Sequence, residues 1–339
     1  MIKILTTSYP KSPTDYAGSF VAEMAERFCA FRPSVEVIYP IFHPISHRTT
    51  ENHHLKLNPY QVSSKLFEQQ GAPDWLENHP LAQLIEIPKV SLSLMLFLNQ
   101  ILKSRHQDEY IQTTWIAHWL LPNALALALL NKDHHLKIVA YVHGGDLALL
   151  EKMPFRSLIA QFLLERINRF IFVSDDLKKR FEMLLNQPTH ELPFFVKPMG
   201  VYQPKADLFA KHLYESLKGN RKCITSIGRL VPIKGLSLLA AALGAIKDQI
   251  PPFCWLIAGD GPEQRKIQVT AESAGLVLGR DFLFLGRISA SQREALLSVS
   301  DLFVLSSIQH LQRTEGMPVS LLEAICANVP VLASHCGGV

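Results

Sequence analysis

Two doubly wound α/β domains facing a central cleft are the fold class this sequence predicts, and three observations carry that expectation. The chain has 339 residues, 48% of them hydrophobic, which is long for one compact domain and enough for two full cores. Short hydrophobic runs alternate with helical patterns, as a parallel sheet requires, because its neighbouring strands are joined by crossover helices. A polar stretch, Gln203 to Arg221, separates an interrupted first half from a more regular second half. The expected domains are residues 1–202 and 203–339.

In the first half, Ile2 to Thr6 reads as a buried strand, too short and too soon interrupted for a signal peptide. A polar loop through Pro10, Pro13 and Asp15 leads to Gly18. Val21, Met24, Phe28 and Phe31 then recur at helical spacing, with Glu23, Glu26 and Arg27 on the other side. Val35 to Tyr39 is a second strand. From Pro40 to Pro88 the periodicity is weak and the pattern places no element. Ser91 to Lys103 is apolar almost all round and reads as a buried core helix; a lipid-docking helix is the lesser alternative because its charged face is thin. Further strands are expected at Trp115–Ala117, Ile138–Val142 and Phe170–Val173. Pro122 suits the first position of a helix over Asn123–Leu130, and Ser174 with Asp175 and Asp176 suits an N-cap and an acidic first turn.

The second half places strands at Cys223–Ile227, Cys254–Ala258, Phe282–Leu285, Leu302–Leu305 and Pro330–Ala333. Its helices start near Gly235, Pro262, Ser291 and Pro318. The last strand runs into Gly337-Gly338-Val339, a turn that normally opens another helix, so the second domain is expected to lack its final elements.

Composition narrows the function classes. Lys plus Arg number 34 against 30 Asp plus Glu, an excess too small to imply nucleic acid. Cys29, Cys223, Cys254, Cys326 and Cys336 are odd in number and scattered, without a C-x-x-C pair, as expected of reduced thiols in a cytosolic protein. No apolar run is long enough to span a bilayer, which leaves a soluble chain or one resting on a membrane surface.

Candidate chemistry lies at strand ends, where open α/β sheets bind ligands. Gly228-Arg229-Leu230 leads to Lys234-Gly235, two cations beside a helix start, suited to a diphosphate or else simply solvated. Ala258-Gly259-Asp260-Gly261-Pro262 lacks the later glycine of a dinucleotide fingerprint and reads as a structural turn. Glu315 and Glu323 would lie about 80° apart around one helix axis. Pro318 instead puts Glu315 in the loop before the helix and Glu323 just over a turn inside it. His143-Gly144-Gly145-Asp146 ends a strand and can meet a ligand or be an ordinary turn. His43, His47, His53 and His54 read as solvated loop residues. No Asp-x-Asp pair is present to anchor a metal-bound diphosphate.

Taken in order, these segments resemble the retaining glycosyltransferases of family 4, the group 1 transferases with the GT-B fold of two Rossmann-like domains. The resemblance rests on Gly228-Arg229-Leu230, Lys234-Gly235, Ala258 to Pro262, Phe284-Leu285-Gly286, Asp301 to Leu305, Glu315-Gly316-Met317-Pro318, Leu322-Glu323-Ala324, Val329-Pro330-Val331 and Gly337-Gly338. Ala117-His118-Trp119, His143 to Asp146 and Met199-Gly200-Val201 carry it in the first half. It implies transfer of a sugar from a nucleotide-sugar to a glycan or lipid-linked acceptor, with no cofactor or metal. His143 and Glu315 would be catalytic, and Gly18, Arg229, Lys234, Gly316, Met317 and Glu323 would bind the donor. Arg229 and Lys234 would hold the diphosphate, Glu323 the ribose. A cytoplasmic enzyme with peripheral contact at the inner face of the membrane fits that role. The alternative is an impaired fragment or a non-catalytic nucleotide-sugar binder. Asn328 stands where the family carries glycine, and asparagine is the next best residue at a left-handed helix end.

Overall fold

The computed structural model describes residues 1–10, 18–31, 34–41, 54–62, 83–103, 112–133, 135–185, 192–310 and 313–339. His43, His47 and His53 lie outside the described residues, as do Pro13 and Asp15. The chain divides into two compact units, one ending at Met199 and the other beginning at Gly200. Each is a parallel sheet with helices between its strands.

The first unit has strands β1 (Ile2–Leu5), β2 (Val35–Ile41), β3 (Leu55–Gln61), β4 (Thr114–His118), β5 (Lys137–Val142), β6 (Arg169–Phe172) and β7 (Phe194–Val196), in spatial order β3-β2-β1-β4-β5-β6-β7. The order reverses between β1 and β4, the switch point at which ligands bind in such sheets. Its helices are α1 (Ser19–Phe31), α2 (Gln83–Lys103), α3 (Leu125–Leu130), α4 (Gly145–Lys152), α5 (Arg156–Arg166) and α6 (Asp175–Glu182). Ser174 caps α6 by accepting a hydrogen bond from Leu177 N.

A buried ion pair spans β1 and β2. Lys3 Nζ meets Glu36, which also accepts from Asn58 Nδ2 at 2.7 Å, and the ammonium lies 5.2 Å from the Trp115 ring centre. Burial opposes the charged form of Glu36, yet its partners hold its carboxyl below the ordinary range.

Two expectations for this unit change. Helix α2 is not buried all round: Val90, Leu94 and Leu98 face the core while Ile85, Leu92 and Leu96 are exposed. The helix expected from Asn123 begins at Leu125 instead. Leu121 precedes a proline, which disfavours helical backbone, and is extended at φ −119 and ψ 130. Pro122 follows it through a cis peptide in an irregular turn, and Asn123 Nδ2 donates to His118 O at 2.7 Å.

The second unit has β8 (Lys222–Ile227), β9 (Phe253–Ala258), β10 (Phe282–Gly286), β11 (Leu302–Leu305) and β12 (Val331–Ala333), in order β10-β9-β8-β11-β12, with the switch point between β8 and β11. Its helices are α7 (Leu208–Lys218), α8 (Leu236–Ile246), α9 (Gln264–Ser273), α10 (Ala290–Val299) and α11 (Val319–Cys326). The period of two along each strand splits the core into two layers. Cys223, Cys254, Leu256 and Ala258 pack with α7, α10 and α11, whereas Ile224, Trp255 and Ile257 pack with α8 and α9. All five cysteines are free thiols.

Helix α7 corrects the reading of Gln203–Arg221 as a plain connector. Asp207 caps it through Ala210 N, and Ala210 and Tyr214 anchor it in the core. Helix α10 starts at Ala290 on a capping box between Ser289 and Gln292.

Candidate functional site

The second unit gathers its polar side chains at the carboxyl ends of β8 and β11, on either side of the switch point. After β8 the chain passes Gly228 and Arg229 into a tight turn, Pro232–Lys234, and enters α8 through Gly235. Gly235 is left-handed at φ +61, and a Cβ there would lie 2.1 Å from Ser306 O, so the turn requires glycine. Ser306 Oγ donates to Lys234 O at 2.9 Å, and Ile308 N to Ile233 O at 2.8 Å. These bonds fasten the turn to the segment after β11. Ser226, Gly228, Lys234, Val304 and Ser306 line a concavity there.

Lys234 points across this gap to Glu315. Its Nζ lies 2.7 Å from Glu315 Oε1, and Ser307 Oγ donates to the same oxygen at 2.6 Å. Glu315 is 8% exposed. Burial alone would raise its carboxyl, but the Lys234 ammonium, the Ser307 hydroxyl and the Arg229 charge together hold it below the ordinary carboxylate range. A buried, ionised carboxylate thus sits beside two cations. Gly316 and Met317 are half-buried in the loop that follows. Pro318 is the N-cap of α11, one position earlier than the first-turn place expected, and it leaves Glu315 in the loop. Glu315 O accepts from Gly338 N at 2.9 Å, so the Gly337-Gly338 turn braces this loop.

Glu323 is inside α11 and buried, and the structure gives it a partner that sequence reasoning missed. Arg293 of α10 donates to Glu323 Oε1 from Nε at 3.2 Å and from Nη2 at 2.9 Å. Burial and the Glu323 charge push the neighbouring Glu294 carboxyl up. No spacing rule links a position on α10 to one on α11, so the pair had no signal in the sequence. Ser307 was missed for the same reason.

The Ala258–Pro262 turn is structural, as expected. Gly228 N donates to Ala258 O at 2.9 Å, Leu230 N to Asp260 O at 2.7 Å, and Glu263 N to Leu230 O at 3.0 Å. A Cβ on Gly259 would lie 1.9 Å from Gly228 O. The two loops are interlocked. Asn328 takes the left-handed conformation, φ 56, at the end of α11, so the turn survives without glycine.

The first unit places His118 at the end of β4 and His143 just past β5. Their rings lie nearly parallel, at 18° with centroids 5.1 Å apart, and meet edge to edge, His118 Nδ1 being 2.9 Å from His143 Nε2. Tyr141 stacks on the other ring at 5.0 Å, while Phe20 and Trp119 flank His143 at 5.2 and 5.1 Å. Burial pulls His143 down to about 3, and burial plus its neighbour pulls His118 well below its ordinary value, so both rings are neutral at pH 7. Asp146 fastens the two turns: Oδ2 accepts from Leu120 N at 2.7 Å, and Oδ1 from His143 N and Gly144 N at 3.1 and 2.9 Å. Gly18 opens α1 at φ +74, where a Cβ would lie 2.1 Å from Ser8 O. Phe20, two residues on, brings that helix start to the histidines.

Known proteins resemble this chain in part of its sequence and in its fold. Residues 211–339 match the family described as glycosyl transferases group 1. A GDP-mannose-dependent alpha-(1-6)-phosphatidylinositol monomannoside mannosyltransferase of Mycolicibacterium smegmatis is 26% identical over 77% of this chain and 66% of its own. An N-acetyl-alpha-D-glucosaminyl L-malate synthase of Bacillus anthracis is 26% identical over 66% of this chain and 56% of its own. The chain therefore spans about two thirds or less of the length of these curated relatives. Among solved structures, sucrose-phosphate synthase from Thermosynechococcus elongatus superposes with TM-score 0.71 at 16% identity, over 99% of this chain and 82% of that one. A glycosyltransferase involved in lipopolysaccharide biosynthesis gives 0.65 at 14% identity, over 100% and 82%. The fold is the GT-B fold, two Rossmann-like parallel-sheet domains. In sequence the similarity to the group 1 glycosyltransferases covers residues 211–339, and the likeness to the solved structures is one of fold.

Proposed function

We propose that this protein transfers a sugar from a nucleoside-diphosphate sugar to a glycan or lipid-linked acceptor, with retention of anomeric configuration. The observation that carries the reading is the cluster of Arg229, Lys234 and Glu315 at the carboxyl ends of β8 and β11, inside the segment that matches the group 1 transferases. On this reading Arg229 and Lys234 take the donor diphosphate, and Lys234 exchanges its contact with Glu315 for phosphate oxygens as the donor enters. Two fixed cations stabilise the departing diphosphate electrostatically, the part a metal plays elsewhere. The freed Glu315 carboxylate accepts from sugar hydroxyls, and Glu323, held by Arg293, accepts from the ribose. His143 accordingly contacts the sugar, and Gly18 belongs to the donor-binding residues.

The domain boundary near residue 202, the cytoplasmic location and peripheral contact with a membrane carrying the acceptor belong to the same reading. No helix among the described residues is long and apolar enough to cross a membrane.

Titration calorimetry with GDP-mannose and UDP-glucose tests it. At least one should bind, with or without a chelator, and Lys234→Ala or Arg229→Ala should weaken binding tenfold or more, about the contribution of one charge-assisted contact. No binding to either, or to other common nucleotide-sugars, would overturn the proposal. Binding without transfer would leave the non-catalytic reading.

A further inference from the structure

The paired histidines of the first unit carry more than the presence of His143. A single proton lies between His118 Nδ1 and His143 Nε2, so one ring donates and the other accepts. His118 is fully enclosed, and its second nitrogen, Nε2, has no hydrogen-bond partner among the described residues. A proton on that Nε2 would leave a buried N–H unpaired. A proton on Nδ1 leaves only a lone pair unpaired, the more tolerable defect, since orphaned buried N–H groups are the rarer kind. His118 Nδ1–H therefore donates, and His143 Nε2 accepts. The proton of neutral His143 must then sit on Nδ1.

We propose that His118 is a positioning residue that locks His143 in the Nδ1–H tautomer, so that the one ring nitrogen of His143 left for a ligand is a hydrogen-bond donor aimed at a sugar hydroxyl oxygen. The assignment of the ligand rests on the reading that His143 meets the donor sugar; the tautomer does not. The frame that holds the rings is rigid on three sides. Asp146 ties the turn after β4 to the turn after β5, Asn123 Nδ2 holds His118 O, and Tyr141 stacks on the His118 ring at an interplanar angle of 17°. In this state His143 recognises an acceptor atom and is not a general base.

Nitrogen-15 spectra of the full-length, imidazole-labelled protein test the tautomer directly, with His143 assigned by its loss in His143→Gln. The wild type should show a protonated Nδ1 and a bare Nε2 at His143. His118→Asn places an amide N–H where Nδ1 stood and should keep that pattern. His118→Asp puts an acceptor where the Nδ1–H donor stood, and should place a proton on Nε2 of His143. Affinity for the donor that binds, GDP-mannose or UDP-glucose, should fall about tenfold in His118→Asp and change less than about twofold in His118→Asn, the scale of one hydrogen bond. A wild-type His143 protonated on Nε2 overturns the proposal, as does a bare Nε2 at His143 in a folded His118→Asp. If that variant does not fold, the wild-type and His118→Asn spectra decide alone. Spectra as expected with affinity unchanged in every variant, His143→Gln included, would uphold the tautomer and remove His143 from the sugar site.

Discussion

Lys234→Ala should cost the second unit stability as well as its donor. The ammonium lies 2.7 Å from Glu315 Oε1, and the two side chains keep only 18% and 11% of their surface. Removing one partner of a buried pair strands the other, at about 3–5 kcal/mol. Here the loss is smaller, because Ser307 and the Arg229 charge still serve Glu315; about 2–3 kcal/mol is the expected cost. Amides of β8 and β9 report the global opening of this unit, and their exchange should quicken roughly 30- to 150-fold. Adding Glu315→Gln to Lys234→Ala removes the stranded charge and should recover about 1–2 kcal/mol, while donor binding stays lost. The sign with pH is fixed by the depressed Glu315 carboxyl. Its stabilisation is present above the unfolded value, about 4.3, and disappears as pH falls through the folded one, so parent and variant converge in acid. A double variant no more stable than Lys234→Ala would refute the reasoning and leave Lys234 a packing residue against Gly228.

Other outcomes follow from the same geometry. The first unit should weaken in mild acid, because buried His118 and half-buried His143 are held neutral and only the unfolded chain takes their protons. Its stability should fall below about pH 6.5 by up to about 1.4 kcal/mol per pH unit for each histidine until pH nears the folded values; exchange of β4 and β5 amides at pH 7 and pH 5 measures this, and a flat profile counts against the buried pair. Gly235→Ala should cost about 3 kcal/mol or more by chemical denaturation, from left-handed strain plus the clash with Ser306 O. Glu323→Gln should weaken binding of a nucleoside diphosphate more than that of inorganic diphosphate, and equal losses would deny it the ribose.

The second sheet was legible because each of its strands is a compact run of apolar residues between turns, and its helices begin beside glycine, proline or serine. Helix α7 was legible but passed over: Ala210, Leu213, Tyr214 and Leu217 recur at helical spacing, while Leu208 and Phe209 lie off that stripe, exposed, and make the segment look irregular. Strand β3 carries Pro59, which argues against a strand except at an edge, and β3 is an edge. Strand β7 has only three residues. At the site, Lys234, Glu315 and Glu323 stood out as charges at strand and helix ends. Arg293, Ser307 and the contact between His118 and His143 are products of tertiary packing, joining residues that no local period relates.

The interlocked loops at Gly228 and Gly259 make two distant stretches of chain a single mechanical part. Any side chain at position 259 must displace Gly228 O, and with it the backbone leading to Arg229 and Lys234. Position 259 is thus placed to set the geometry of a site it need never touch. A search for altered donor preference would then find its variants in pairs, a change in one loop answered by a change in the other, and single substitutions there would look uniformly damaging.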